Sequence, residues 1–449
     1  MFRKYCLQSL LNYLQVNQPT QNGVIWIEKN YDSGVNDAGI TSLFLDGAAN
    51  FQTMKNYSLT IQGGWNGDNL GTINHSDPSE LNTTLSIVNW QNDVTLNDVL
   101  ITGTNGAGMN FGPGGVMSPS SHGAGLSVNT TGNVQLSNVR TAENNAMGVL
   151  IYNTSGSGTV TILDGNFSNN SGVYVYANGA INLSNITVDG NQGDSAFFLN
   201  DASGVQGNVT LTGINQFTHN NGYGLTISSN GDINLANINA SENVHGAYIF
   251  NGFGSGNVTF SGTNTFNNNV GEGVWVYSNG TITVHNVTAM GNGMEGALFM
   301  SGQSSSGGTV VFNGTNTFQG NGGSYPDWYF DLYLDLNHNI AQYRNVAVSS
   351  DLILLSNTQL PASLPNGTTF ISAVEIIDTS DTVVISFPVS DEMQTEDLSI
   401  LFWDETEWVD LRAASFDDGR IILDGGNFTN NGYFSASTNF GGIFVLVKK

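Results

Sequence analysis

A repeat of roughly 25 residues in the middle of the chain constrains its fold more than any other feature of the sequence. Each repeat begins with a glycine that precedes an alternating apolar segment, such as GDINL from Gly231 and GTITV from Gly280. The glycines of the series are Gly132, Gly158, Gly179, Gly207, Gly231, Gly256, Gly280 and Gly308. Strands this short, without helices between them, cannot each bury an apolar face alone. The repeat therefore predicts a solenoid in which successive coils stack.

The pattern within the coils predicts which side chains point inward. If the strands of successive coils pair at about 4.8 Å, their alternating apolar residues form continuous ladders. We expect the inward residues to include Ile233, Leu235, Val258, Phe260, Ile282 and Val284. One turn position holds asparagine in alternate coils, at Asn138, Asn185, Asn237 and Asn286. Side-chain amides can hydrogen-bond along such a stack, so we expect an asparagine ladder there.

The composition excludes several classes of function. The 449 residues carry a formal net charge of -26 with only ten Lys and Arg, so no basic groove can neutralise the phosphates of a nucleic acid. The single cysteine, Cys6, excludes an intrachain disulfide framework and a cysteine-rich metal site. No apolar run of about 18 residues is present, so no membrane span is predicted. A neutral glycan is a better partner for such a chain than a polyanion.

The coils also carry a family resemblance. Their inward I-x-L segment, their Asn turn and the G-x-G before the next strand resemble the right-handed parallel β-helix of the pectin-lyase-like superfamily, from Gly23 to about Asn339. The resemblance implies an all-β solenoid and an extracellular or cell-surface location. The first residues, MFRKYCLQSLLNYLQ, are a poor signal peptide, so export is expected from the resemblance.

Three parts are predicted along the chain. Residues 1–22 form a cap in which Leu7 to Gln15 is a short helix, and residues 23–340 form the β-helix with a first strand at Val24. Beyond it the coil period stops. Strand candidates bounded by turn signals begin at Val383, Leu398 and Gly442, which predicts a small antiparallel β-sandwich over residues 341–449. The phrase LSILFWDETEWVDL resembles C-terminal sandwich modules of bacterial surface proteins, and the simplest role of the sandwich is to cap the last coil.

One column of residues offers candidate chemistry. The residues just before the second strand of successive coils are Asp194, Tyr223, His245, Glu272 and Glu295. If the coils are in register, Glu272 and Glu295 lie about 5 Å apart, the separation of acid and nucleophile in a retaining glycosidase. Carboxylate and imidazole groups there could instead bind a divalent cation such as calcium, although no cofactor is required. The alternative is that all of them are solvated turn residues.

Aromatic side chains alternate with the inward residues of the same strands. The pairs are Tyr174 and Tyr176, Tyr248 and Phe250, and Trp275 and Tyr277. If these rings face outward, they form a stripe suited to stacking against sugar faces or to covering by a partner. In coils that read GAYIF and GALFM, Tyr248 and Phe250 could instead belong to the core. The predicted ligand-binding residues are Tyr174, Tyr176, Tyr248, Trp275, Tyr277, His245 and Asp194.

The residues that the superfamily's enzymes use do not cluster in this sequence. Its lyases combine an acidic calcium site with an arginine base, whereas Arg140 has only Glu143 close by. Its hydrolases combine aspartates with a His-Gly pair, of which only Asp164-Gly165 and His245-Gly246 are reminiscent. The missing motifs favour a non-catalytic surface protein that presents an elongated binding face for carbohydrate. The alternative is a polysaccharide-degrading enzyme, either a glycoside hydrolase or a lyase, with Glu272 and Glu295 as its carboxylates.

Overall fold

Short strands joined by tight turns account for nearly all of the secondary structure. A computed structural model describes residues 6–37, 39–104, 109–111, 117–119, 124–193, 195–200, 207–302, 309–323, 329–336, 338–343, 346–348, 353–355, 357–376, 382–390, 393, 396–429 and 433–449. The chain divides into two units, Met1–Val244 (unit 1) and His245–Lys449 (unit 2). The all-β fold class is confirmed. The predicted domain limits at residues 22 and 340 stay predictions.

The described residues of unit 1 form two α-helices, one 3-10 turn and 24 strands. The helices are α1 (Leu7–Val16) and α2 (Ser33–Asn36), and the 3-10 turn is Met54–Asn56. The strands are β1 (Gly23–Glu28), β2 (Ser42–Asp46), β3 (Leu59–Trp65), β4 (Ser79–Leu81), β5 (Thr84–Trp90), β6 (Val94–Asn97), β7 (Val99–Thr102), β8 (Met109–Phe111), β9 (Met117–Pro119), β10 (Leu126–Thr130), β11 (Val134–Ser137), β12 (Arg140–Ala142), β13 (Val149–Asn153), β14 (Val160–Leu163), β15 (Asn166–Ser168), β16 (Val173–Ala177), β17 (Ile181–Ser184), β18 (Thr187–Asp189), β19 (Ala196–Asn200), β20 (Val209–Thr212), β21 (Asn215–Thr218), β22 (Tyr223–Ser229), β23 (Ile233–Ala236) and β24 (Ile238–Asn239).

Three parallel sheets form the walls of unit 1. Their strand orders are β1-β3-β6-β11-β14-β17-β20-β23, β2-β5-β10-β13-β16-β19-β22 and β4-β7-β12-β15-β18-β21-β24. Each sheet takes one strand from each coil, which is the arrangement of a parallel β-helix. Successive coils pair without a residue offset along the first sheet, for example Val134 with Val160 and Val160 with Ile181. Equivalent sequence positions therefore lie above one another.

In the part of unit 2 that the structure describes, there are a 3-10 turn at Asn357–Gln359 and 20 strands. The strands are β25 (His245–Asn251), β26 (Val258–Ser261), β27 (Asn264–Thr265), β28 (Val274–Ser278), β29 (Ile282–His285), β30 (Val287–Met290), β31 (Ala297–Ser301), β32 (Val310–Asn313), β33 (Asn316–Gln319), β34 (Leu332–Leu336), β35 (Asn339–Tyr343), β36 (Val346–Val348), β37 (Ile353–Leu355), β38 (Thr369–Ile376), β39 (Val383–Pro388), β40 (Leu398–Trp403), β41 (Trp408–Asp410), β42 (Ile422–Phe428), β43 (Tyr433–Thr438) and β44 (Gly442–Lys448).

Unit 2 changes from parallel to antiparallel pairing along its chain. Strands β25, β28, β31 and β34 pair in parallel, and the same sheet continues antiparallel through β35, β39, β43 and β42. A second antiparallel sheet has the order β37-β38-β44-β40-β41. Its buried core includes Leu401, Val445 and Val447. The predicted C-terminal sandwich is confirmed, and three of its strands begin at the predicted Val383, Leu398 and Gly442.

Alternation within each strand builds the core. The six residues that the repeat predicts to point inward, from Ile233 to Val284, are each no more than 1% exposed. Burial of one such side chain stabilises the fold by about 1.5–3 kcal/mol. Because the coils are in register, these contributions come from continuous aliphatic and aromatic ladders.

The prediction of an asparagine ladder at the alternate-coil turn position is confirmed only in part. Asn138, Asn185, Asn237 and Asn286 all have a positive φ between 48° and 56°, a conformation that asparagine tolerates better than most residues. The amides of Asn138, Asn185 and Asn237 bond along the stack to other residue types, whereas the Asn286 amide lies 2.9 Å from Nε2 of the adjacent His285. The Asn185 amide donates to Asp164 Oδ1 at 2.9 Å, and the Asn237 amide donates to the carbonyl oxygen of Gly213 at 2.9 Å.

A different turn position forms a buried asparagine ladder in each unit. In unit 1 it consists of Asn144, Asn170, Asn191, Asn220 and Asn243, each no more than 4% exposed, and in unit 2 of Asn269, Asn292 and Asn321. In unit 1 the side-chain oxygens of the last four asparagines each accept the backbone N–H of the ladder asparagine one coil earlier, at 2.8–3.2 Å, and the Asn144 oxygen accepts that of Thr104 at 3.1 Å. The side-chain amides donate to backbone carbonyls of the earlier coil. The ladder thus satisfies turn backbone groups that would otherwise be buried without partners.

The N-terminal helix is held by a residue far away in sequence. The predicted helix is observed at Leu7–Val16. Its first residues have no local side-chain cap, and the buried Asp37 accepts the Leu7 backbone N–H at 3.0 Å instead. The Tyr31 hydroxyl also donates to Asp37, and burial together with this hydrogen bond raises the pKa of Tyr31.

Candidate functional site

Three residues of the predicted column stack in successive coils of unit 2. Strands β25, β28 and β31 pair so that Ala247, Val274 and Ala297 are register partners. Just before them, the Gly246 N–H donates to the Glu272 carbonyl and the Gly273 N–H to the Glu295 carbonyl, both at 2.9 Å. His245, Glu272 and Glu295 therefore lie over one another, about 4.8 Å apart along the backbone.

The other two residues of the column are placed differently. Asp194 lies outside the described residues. Tyr223 is the first residue of β22 in unit 1, and its backbone carbonyl accepts the Ser195 N–H at 3.0 Å. The stacked candidate site therefore consists of His245, Glu272 and Glu295, all in unit 2.

Glu272 and His245 form a close pair. His245 Nδ1 lies 2.5 Å from Glu272 Oε2, and the two side chains are 28% and 18% exposed. A hydrogen bond of this length to a partly buried carboxylate stabilises its ionised form. The geometry therefore fixes the orientation of the imidazole relative to the Glu272 carboxyl group.

Glu295 has the opposite electrostatic environment. Burial raises the pKa of Glu295, and the negative charge of Glu272 raises it further. A carboxyl group whose pKa is raised, with a second carboxyl one coil away, is an arrangement in which the first can act as an acid. Chemically, the pair can protonate a leaving group from Glu295 while Glu272 stabilises or attacks a positive centre.

Beside Glu295 lie tyrosines that the sequence reasoning missed. Burial raises the pKa of Tyr333, and the charges of Asp335, Tyr433 and Glu295 raise it further. Tyr333 is the register partner of Leu298, the outward residue three positions after Glu295. Tyr333 lies in β34, which pairs in parallel with β31 but comes after Gly308, the last glycine of the repeat series. The sequence signal for Tyr333 was the alternation of leucine with other residues in LYLDL, the sequence of β34.

The aromatic pairs face outward. In β25 and β28 the residues between them, Ile249 and Val276, are fully buried, whereas Tyr248, Phe250, Trp275 and Tyr277 are half-buried. The same alternation in β31 buries Phe299 and leaves Leu298 and Met300 outside. The core alternative for Tyr248 and Phe250 is therefore wrong, because the coil register places them on the outer surface.

The outward rings of unit 2 contact one another. Ring centroids lie 5.4 Å apart for Tyr248 and Trp275, and 5.1 Å apart for Phe250 and Tyr277. Phe253, which the sequence reasoning did not single out, packs edge-on against Phe250 at 5.0 Å and is 73% exposed. We call Tyr248, Phe250, Phe253, Trp275 and Tyr277 the aromatic face. Burial raises the pKa of the Tyr248 hydroxyl, and the neighbouring Tyr277 adds to the shift.

Unit 1 has its own outward ring cluster. Tyr174 and Tyr176 are half-buried on β16, where they alternate with the buried Val173 and Val175. Tyr176 lies 5.8 Å from Tyr152, and Tyr174 lies 5.6 Å from Phe197. Burial raises the pKa of Tyr176. These rings pack on each other between coils, so they form a second outward aromatic patch.

His219 lies between two carboxylates on the surface of unit 1. Its Nδ1 is 2.8 Å from Asp189 Oδ1, and its Nε2 is 2.8 Å from Glu242 Oε2. The hydrogen bond to Asp189 raises the pKa of His219, with a smaller contribution from Glu242. A folded-state pKa above the unfolded value stabilises the fold at pH below the unfolded pKa, and this stabilisation is lost as the pH rises through the folded pKa.

We expect His219→Asn to remove this pH dependence. Asparagine tolerates the positive φ of 55° at His219, as Asn169 does at 54° in the same turn column. Because the imidazole is 58% exposed, solvent screening limits the loss to about 1 kcal/mol or less at pH 5.5. Urea unfolding at pH 5.5 and pH 8.5 measures it. If the two proteins differ in stability by the same amount at pH 5.5 and at pH 8.5, the placement of His219 between two carboxylates does not cause the pH dependence.

No metal site or membrane helix is seen in the residues that the structure describes. Within those residues, no group of three or more His, Cys, Asp or Glu side chains is arranged to hold a metal ion. No described helix is both long and apolar enough to cross a bilayer.

Comparison with known proteins identifies the solenoid. Residues 157–325 match the family described as the right-handed beta helix region. Comparisons with curated proteins and with solved structures give no match. The matched residues fall in the coils whose strands pair in parallel, so their handedness and their pairing agree with the resemblance drawn from the sequence. The protein has the fold of a parallel β-helix, of which residues 157–325 match the right-handed beta helix region, and it has an antiparallel sandwich in its C-terminal part.

Proposed function

We propose that the protein is a non-catalytic carbohydrate-binding β-helix of the extracellular space or cell surface. In this proposal the aromatic face of unit 2 binds a polysaccharide or a cell-surface glycan. The observation that carries the proposal is the cluster of outward rings around Phe253, which is 73% exposed. Large exposed apolar groups in a cluster mark interaction surfaces, and aromatic rings are suited to the apolar faces of sugars.

The charge of the chain supports the choice of ligand class. With a net charge of -26, long-range repulsion disfavours polyanions, whereas neutral polysaccharides bind without a charge penalty. Carboxylates beside the rings, on Glu272 and Glu295, can accept hydrogen bonds from sugar hydroxyls. Extracellular location is tested by probing intact cells and culture supernatant with an antibody to the protein.

We expect Phe253→Ala to weaken glycan binding roughly tenfold, which corresponds to about 1.4 kcal/mol. Phe253 is mostly exposed, so its removal leaves the core intact. Trp275→Ala tests the half-buried part of the same face. The measurement is a glycan array followed by calorimetric titration of the neutral saccharides that bind. Thr259→Ala, an outward residue of β26 in another sheet of unit 2, is the matched control. If the unchanged protein and the three variants bind with equal affinity, the aromatic face is not the binding surface.

A second candidate function rests on a separate observation. Glu295, with a raised pKa, lies one coil from Glu272, which is held by His245. This is the arrangement expected of a glycoside hydrolase that uses two carboxylates. In that case the aromatic face would position the polysaccharide beside the carboxylates.

A further inference from the structure

A polar cleft in unit 1 shares no lining residue with the aromatic face or with the stacked candidate site. Its volume is about 740 Å³. The floor consists of Gln62, Asn97 and Ser137, which are register partners on the outer face of the first sheet. These three side chains span two coil steps, about 10 Å. The cleft is therefore long enough for a short chain of small polar units.

Asp98 organises the wall of the cleft. Its side chain is only 2% exposed and accepts hydrogen bonds from the Gln62 amide at 2.8 Å and from the Asn138 amide at 2.7 Å. His75 Nδ1 lies 3.0 Å from the same carboxylate, and the His75 side chain is 77% exposed. The charge of Asp98 is thus compensated by its own neighbours. The network fixes the amides and the imidazole in place rather than leaving Asp98 for a ligand.

Arg140 lines the same cleft without an ion pair. Its guanidinium donates to Asn138 Oδ1 at 3.2 Å, and among the described residues no carboxylate pairs with it. Arg412 and Arg420, by contrast, pair with Asp397 and Asp418. Because guanidinium carries five N–H donors, most of the donor capacity of Arg140 is unused. In so acidic a chain, an arginine kept away from carboxylates is available to a ligand.

Asp164 supplies the complementary acceptor. It lines the cleft one coil after Asn138 in the same turn column and accepts one hydrogen bond, from the Asn185 amide at 2.9 Å. An anionic ligand would gain from Arg140 but would be repelled by Asp164 and by the net charge of the chain. A neutral group that both accepts and donates is compatible with both side chains. Adjacent hydroxyls of a sugar have this chemistry.

We propose that this cleft is a binding site for a neutral oligosaccharide, in which Arg140 donates to sugar hydroxyls and Asp164 accepts from them. The proposal deepens the carbohydrate-binding function and rests on the same ligand class, but on a different surface. Trp26 supports it. This residue is 38% exposed and is the register partner of Gln62, so it continues the outer column of the cleft floor by one coil. An indole at that end is placed to stack on a sugar ring that extends beyond the cleft.

The test uses the full chain and calorimetric titration with hexaoses of glucose, xylose, mannose and galactose, together with one uronic acid hexaose. Arg140→Gln and Asp164→Asn are expected to weaken binding of the preferred neutral hexaose at least tenfold at the cleft. Asparagine tolerates the positive φ of 54° at Asp164, as it does at Asn138 and Asn185 in the neighbouring coils, so the second variant is expected to fold. Arg412→Gln, at an ion-paired surface arginine of unit 2, is the charge-matched control.

The outcomes separate this proposal from the proposed function. Loss of binding in both cleft variants, with Arg412→Gln unchanged, supports the cleft. If Phe253→Ala weakens binding while both cleft variants keep full affinity, the cleft proposal is overturned and the aromatic face stands. If the cleft variants weaken binding and Phe253→Ala does not, the aromatic face is the part that fails. Tighter binding of the uronic acid hexaose than of every neutral hexaose, or no binding of any hexaose, also overturns the cleft proposal.

Discussion

Replacement of Asn220 with alanine is expected to lower the free energy of unfolding by roughly 4 kcal/mol, because it interrupts the buried asparagine ladder. Asn220 is 3% exposed. Its side-chain oxygen accepts the Asn191 backbone N–H at 2.9 Å, and its amide donates to the Val188 carbonyl at 3.1 Å. Alanine removes both hydrogen bonds, which costs about 1–3 kcal/mol for the buried Asn191 N–H, and it adds a cavity.

The control for this variant is Asn182→Ala. Asn182 is half-buried on the outward face of β17, so its loss is expected to change stability by no more than about 0.5 kcal/mol. Hydrogen exchange should show the effect of Asn220→Ala first in the coils on either side, because each coil contacts only its neighbours. The two variants are compared by denaturant unfolding. Equal stability losses would mean that the ladder does not hold the coils together.

The sequence contained the signal for this ladder, although the prediction chose another column. Each ladder asparagine in unit 1 follows a residue with positive φ, as in Glu143-Asn144, His219-Asn220 and Glu242-Asn243. The first residue of the pair changes from coil to coil, whereas the second is asparagine in the five coils from Asn144 to Asn243. A solvent-facing turn position tolerates several residue types, whereas a buried position that must both accept and donate does not. That constancy within the repeat, rather than the recurrence of asparagine in alternate coils, identifies the buried column.

The repeat predicted correctly the features that depend on the register of the coils. It did not predict features of segments in which that register is interrupted. His245, Glu272 and Glu295 could be aligned because the intervals between them are regular coils. The cleft of unit 1 could not be predicted, because His75 lies between β3 and β4 in a segment outside the coil period. The contact between His75 and Asp98 depends on how that segment folds, and periodicity gives no information about it.

Replacement of Glu295 with glutamine is expected to reduce cleavage of a neutral polysaccharide by about 10²–10⁴-fold if the second candidate function is correct, because it removes a general acid. An aryl glycoside with a good leaving group needs little protonation, so its cleavage should fall much less. Glu272→Gln should abolish cleavage of both substrates, because it removes the anion held by His245. Glu407→Gln, at an exposed glutamate of unit 2, is the control.

The pH dependence of the same reaction follows from the electrostatics of the pair. Glu295 acts in its protonated form, and burial together with the charge of Glu272 raises its pKa. Activity therefore persists above the ordinary titration range of a glutamate and falls as the pH rises through the raised pKa, whereas Glu295→Gln loses that decline. The measurement is kcat/KM against pH with the neutral polysaccharide, whose leaving group needs the proton. Unchanged turnover of the polysaccharide in either glutamine variant would exclude the pair as catalytic and leave Glu272 and Glu295 as hydrogen-bond acceptors beside the aromatic face.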